Sequence, residues 1–171
     1  ISQLARSQRV ALRARFDGPA PPPGARYWRG PVLWDYADNT WYNRADRPDL
    51  PAATVVAQGP TRDVTITLEP RDQPWLIALD TPLSADREYS VAAGATLIAE
   101  APINERIRYR TRSALERRLD PNLSQAARGR ALTLPFAANP RTRALAQRLA
   151  DETSSSPALV ERAMTWFAAH D

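Results

Sequence analysis

Short stretches of period-two apolar alternation, stopped repeatedly by proline and glycine, constrain what this chain can fold into more than any other feature. From Arg9 to Asp17, Val10, Leu12, Ala14 and Phe16 point one way while Ala11, Arg13 and Arg15 point the other, as in a half-buried strand. Asp17, Gly18 and Pro19 end it. Pro21, Pro22, Pro23 and Gly24 then form a stiff connection that cannot donate to a sheet ladder.

The same device recurs. Tyr27 to Tyr36 is aromatic and β-branched enough for a strand bent at Gly30 and Pro31, and the turn pair Asp38 and Asn39 returns the chain through Thr40, Trp41 and Tyr42 as a hairpin. Asn43 to Ala53, with Pro48 and Pro51, reads as a surface loop. Further strands are predicted over Thr54–Gln58, Val64–Glu69, Trp75–Leu79, Glu88–Ala92, Thr96–Glu100 and Arg106–Arg112. About eight short strands at this spacing predict a mainly β fold, an antiparallel β-sandwich for which an immunoglobulin-like arrangement is one option.

After about Ser113 the period changes. Asn139 followed by Pro140, and Ser156 followed by Pro157, each place an N-cap before a helix-opening proline. Leu145, Ala146, Leu149 and Ala150 share one helical face, and Leu159, Val160, Ala163, Met164, Phe167 and Ala168 share another. The second helix has no terminating glycine and is expected to be still running near Asp171. The expected division is a β-sandwich over 1–115 and a linker with helices over 116–171. The chain opens at Ile1 without Met, which reads as a piece of something longer.

Composition narrows the chemistry. The 171 residues contain no Cys, which removes thiol nucleophiles, disulfides and zinc thiolate sites together. The one His, His170, is next to last and has no carboxylate partner in any serine- or cysteine-hydrolase spacing. All 23 basic residues are Arg, but the net charge is only +4, and no RNP, zinc-finger or helix-turn-helix pattern is present, so nucleic acid is not an expected partner. Asp35, Asp38, Asp46 and Asp49 lack the spacing of a calcium loop. No cofactor, metal or catalytic residue is expected.

Two groups could meet a partner. Arg106, Arg108, Arg110 and Arg112 sit at period two and share one strand face at about 7 Å spacing, a match for an anionic surface such as lipid headgroups or a cell-wall polymer. The plainer reading, favoured on the mixed charges nearby, is a solvated face paired to Asp and Glu. Trp28, Trp34 and Trp41, with Tyr27, Tyr36 and Tyr42, could stack on sugar or peptide; the plainer and favoured reading makes them the core of the sandwich and its rim.

Several stretches, taken in order, resemble one family. Tyr27-Trp28-Arg29-Gly30-Pro31-Val32-Leu33, then Tyr36, then Thr40-Trp41, is similar to a segment of bacterial membrane-anchored transglutaminase-like proteins, the TgpA group. Val64 to Pro70 with Gln73, Trp75, Leu76, Ala78, Leu79 and Asp80 continues the resemblance. So do Arg108-Tyr109-Arg110 with Ser113, and Leu134-Pro135 with Asn139-Pro140-Arg141 and Ala144-Leu145-Ala146. One departure is Asn39, where the family often has Gly; Asn also tolerates positive φ, so the hairpin is expected to survive.

The resemblance implies a periplasmic, extracytoplasmic segment of an inner-membrane protein, preceding a core whose Cys, His and Asp lie further along. It implies that this chain is a non-catalytic accessory or scaffold domain, with the missing catalytic core of the same protein as its first partner. The alternative is a module binding cell-wall glycan or peptide through the aromatic cluster or the Arg face, and the least favoured reading is an independent hydrolase.

Overall fold

The alternation of polar and apolar residues organises one four-stranded antiparallel sheet in the structure, a computed structural model that describes residues 9–42, 52–86, 89–135 and 139–170. The strands begin with β1 (Leu12–Phe16), β2 (Trp28–Arg29), β3 (Asp35–Ala37) and β4 (Thr40–Tyr42). β5 (Val55–Ala57), β6 (Thr61–Leu68), β7 (Trp75–Leu76), β8 (Ala78–Leu79) and β9 (Thr81–Ala85) follow. Then come β10 (Tyr89–Val91), β11 (Leu97–Ala99), β12 (Ile107–Ala114) and β13 (Arg117–Leu119). Three helices are found among the described residues: α1 (Gln125–Ala131), α2 (Pro140–Asp151) and α3 (Ser156–Ala169). Two compact units result, one of the described residues within 1–35 and 41–132 and one of those within 36–40 and 133–171.

In the first unit the main sheet runs in the order β1-β6-β12-β9. Its register pairs Leu12 with Leu68, Ala14 with Ile66 and Phe16 with Val64, and on the other side of β6 pairs Ile107 with Leu68 and Tyr109 with Ile66. Because side chains alternate between faces, this register puts every one of those apolar residues on one side. The facing layer is not a continuous sheet but short ladders, β10-β11-β7 and β2-β8. They contribute Leu76, Ala78, Leu79 and Leu97 to one buried cluster with Val64, Ile66, Leu68, Ile103 and Tyr109. The fold is therefore mainly antiparallel β with short helices towards the C-terminus, as the sequence predicts.

The differences from the sequence reading have local causes. The single strand expected over Trp75–Leu79 is broken at Ile77, so that β7 pairs with β11 and β8 with β2. The buried Tyr109 hydroxyl fills the break: it donates to the Ile77 carbonyl at 2.7 Å and accepts from the Ile77 N–H at 3.1 Å. β9 was not foreseen, because Pro82 lies within it. An edge strand tolerates proline, and β9 is the edge of its sheet. The stretch from Tyr27 to Tyr36 contributes only β2 and the start of β3. The hairpin β3-β4 turns on Asp38 and Asn39 with φ of 49° and 58°, the pair of left-handed residues that a two-residue turn of matching twist requires. Most of the loop expected over 43–53, with Asp46 and Asp49, lies outside the described residues, as does Glu88.

Helix starts are also corrected. Asn139 precedes α2 but has φ of 52° and makes no side-chain cap; its amide donates instead to the Tyr36 hydroxyl at 2.8 Å, which in turn donates to Asn39 at 3.1 Å. α3 is capped by Ser155 rather than Ser156, its hydroxyl accepting from the Ala158 N–H. α3 reaches Ala169, with the His170 N–H bonded to the Phe167 carbonyl and the His170 ring stacked on Trp166 at 4.3 Å; Asp171 lies outside the described residues.

Candidate functional site

The outward face of the main sheet is built by the same register that builds the core. Opposite each apolar row stands a polar one: Arg13, Thr67 and Arg108 lie abreast, and Arg15, Thr65 and Arg110 form the next row. Sequence reasoning had grouped only the four arginines of β12 and its approach. The structure brings Arg13 and Arg15 of β1 onto the same face, which no local pattern could have told, because the pairing of β1 with β6 spans about fifty residues.

Carboxylates take up most of the charge. Glu69 accepts from Arg13 at 2.8 Å and from Arg106 at 3.0 Å. Arg112 makes a forked pair with Asp63 at 3.0 and 3.2 Å, and Arg110 reaches Asp17 at 2.6 Å. The hydrogen bond from Arg112 holds the Asp63 carboxyl below the ordinary carboxylate range, and those from Arg106 and then Arg13 do the same for Glu69. The same pair pushes the Arg112 guanidinium up. Arg13, Arg106, Arg110 and Arg112 thus lie in ion pairs. Arg15 and Arg108 are exposed, and neither has a carboxylate partner among the described residues. Between them, over Thr65 and Thr67, lies a shallow depression of about 230 Å³.

The aromatic cluster does not form the centre of the core. That centre is aliphatic apart from Tyr109. Trp28 is half-buried with its ring 6.4 Å from Phe16, and Trp34 is half-buried. Tyr27, Trp41 and Tyr42 are exposed. Of these rings Trp28 packs against the buried cluster, whose centre is left mainly to Val, Ile and Leu.

Arg29, in the middle of the aromatic motif, went unassigned in the sequence. Its side chain is largely buried and ties β2 to two further segments: Nε donates to the Asp80 carbonyl at 2.6 Å and Nη2 to the adjacent Thr81 hydroxyl at 3.4 Å, while Nη1 donates to the Gly94 carbonyl at 3.3 Å. Arg117 closes on the Asp80 carboxylate at 3.0 Å. Gly94 must be glycine there: φ is +67°, and a Cβ would stand 2.9 Å from Val32 Cγ2. These contacts make Arg29 part of the framework.

In the second unit α2 and α3 pack together. Leu149 is buried, and Leu159, Ala163 and Trp166 are half-buried. The rest of the predicted stripe on α3 is uncovered: Ala168 is exposed, and Val160, Met164 and Phe167 are 63%, 65% and 57% exposed. Val160, Met164 and Phe167 fall at i, i+4 and i+7, so they form a single apolar strip along the helix.

Residues 1–120 match the family model described as the TgpA N-terminal domain. A curated relative from Pseudomonas aeruginosa, a protein-glutamine gamma-glutamyltransferase, is 29% identical over 167 residues; the match covers 98% of this chain and 25% of the relative. The crystal structure of the periplasmic domain of TgpA from Pseudomonas aeruginosa superposes with a TM-score of 0.84 at 29% identity, over 94% of this chain and 56% of that one. The same domain bound to ethylmercury also superposes with a TM-score of 0.84, at 30% identity, over 96% of this chain and 58% of that one. The chain thus spans about a quarter of the curated relative and little more than half of the crystallised domain. With its motifs in order and its fold in common with the solved domain, the chain belongs to the TgpA N-terminal domain family and is periplasmic in type.

Proposed function

We propose that this chain is a non-catalytic accessory domain of an inner-membrane transglutaminase-like protein, and that it seats and orients the catalytic domain of that protein. The observation that carries this reading is the uncovered strip of Val160, Met164 and Phe167 on α3. Large apolar side chains aligned on one helix face and left in water are costly, and a neighbouring domain relieves that cost by covering them. The coverage of the relatives supports an occupant from the same protein. More than two fifths of the crystallised periplasmic domain lies beyond the matched part, so polypeptide of the same protein is available to pack there.

Two further facts agree with the division of labour. The chain has no Cys, so the nucleophile of a thiol-dependent acyl transfer must come from elsewhere in the protein. The Pseudomonas relative is described as a glutamyltransferase, and this chain corresponds to a quarter of it.

The test is to replace Val160, Met164 and Phe167 by Glu in the whole protein and in this chain alone. The chain alone should keep its unfolding midpoint, since these side chains touch mostly water. The whole protein should lose thermal stability and glutamine-to-amine transfer together. Unchanged transfer and unchanged stability in the whole protein would remove the basis for the proposal.

A further inference from the structure

The centre of the arginine face has the makings of a binding site that the accessory role does not use. The strands of the main sheet stand about 4.8 Å apart, and outward residues along one strand about 7 Å apart. Arg15 and Arg108 therefore face each other diagonally across the Thr65 and Thr67 column of β6, within reach of a common point above it. Their neighbours in the same rows, Arg13 and Arg110, are already held by Glu69 and Asp17. What remains between them is a set of donors: two guanidinium forks from opposite sides and two hydroxyls at the floor of the depression.

The geometry selects the anion. A carboxylate offers two oxygens in one plane, which suits one fork, as in the Arg112–Asp63 pair. A phosphate group offers oxygens in several directions and can take two forks from different sides with a hydroxyl beneath. The surroundings select its carrier. Every fully exposed position of β1, β6 and β12 is Arg or Thr, with no apolar side chain to insert and no deep walls to enclose a small molecule. Such a face fits a plane of headgroups. We infer that Arg15, Arg108, Thr65 and Thr67 form a phosphate-group site through which this domain engages the headgroups of an anionic phospholipid surface. The inference is independent of the docking role proposed for α3.

The experiment is co-sedimentation of the chain with vesicles of phosphatidylcholine alone and of phosphatidylcholine with phosphatidylglycerol, at low and raised salt. It is run for the unaltered chain, for Arg15→Gln with Arg108→Gln, and for Arg118→Gln with Arg128→Gln, which removes the same charge from β13 and α1. Binding is expected only to the anionic vesicles and is expected to weaken with salt. The central double variant should lose about thirtyfold in affinity, from about 1 kcal/mol for each arginine near an anionic surface. The distant double variant should stay within about threefold of the unaltered chain.

Amide shifts of the unaltered chain on titration with inorganic phosphate supply a second readout that needs no variant, and should centre on Thr65, Thr67 and Arg108. Equal losses in the two double variants would overturn the site in favour of diffuse charge. Phosphate shifts without vesicle binding would overturn the lipid source. Binding of poly-glutamate with no binding to anionic vesicles would assign the face to acidic polypeptide instead.

Discussion

Tyr109 shows how one side chain can hold two strands in a place where the backbone ladder fails. Burial pushes its phenol pKa up, so the hydroxyl keeps its proton and can donate to the Ile77 carbonyl while accepting from the Ile77 N–H. Replacing Tyr109 by Phe keeps the ring, including its edge-on contact with Tyr89 at 5.5 Å, and strands both Ile77 groups. The expected cost is about 1–3 kcal/mol, read from denaturant unfolding of the chain. A loss well under this would mean that the Ile77 groups find other partners. None of this was legible in the sequence, where Tyr109 appears as the inward residue of a good strand and Ile77 as part of an unbroken apolar run. Arg29 was hidden for a related reason: its partners, Asp80, Thr81 and Gly94, lie more than fifty residues away, and no spacing rule reaches them. Asn139 misled in the opposite direction, since an Asn before Pro reads as a cap but here serves the hairpin tip through Tyr36.

Elements were legible where their two faces differ. β1, β6 over Val64–Leu68 and β12 over Ile107–Arg110 alternate apolar with charged or hydroxyl residues and were found from the sequence, whereas the polar ends of β6 and β12, Thr61 to Asp63 and Ser113, were not. Runs apolar throughout, such as Trp75–Leu79, hid their break. α1, rich in Ala and Arg with no apolar stripe, offered no period to see, although Ser124 caps it through the Ala127 N–H. The candidate face was half legible for the same reason: the arginines of β12 announce themselves, whereas their counter-ions depend on which strands pair. Those counter-ions link β12 to β6 and β1, which has a pH consequence. The Asp63 and Glu69 carboxyls are held below their ordinary range in the fold. The unfolded chain therefore takes up protons first as pH falls. Their stabilisation is whole above the ordinary carboxylate range, shrinks as pH falls through it, and is gone below the depressed folded values. Asp63→Asn should accordingly lower the thermal midpoint at neutral pH and flatten its fall towards acid, with both effects reduced by salt because the pair is exposed. An acid limb as steep as that of the unaltered chain would contradict the assignment.

At the scale of the molecule, each unit leaves a different kind of surface open. The β unit shows water a polar face with two arginines left over, and the helical unit shows it an apolar strip on α3. The first suits charged headgroups and the second suits protein. The most direct measurement compares the whole protein with a version lacking this domain, scoring folding by thermal unfolding and glutamine-to-amine transfer by product formation. The proposed role predicts that the shortened protein unfolds at lower temperature and transfers poorly even where its catalytic residues are intact. Full stability and full transfer without the domain would contradict it.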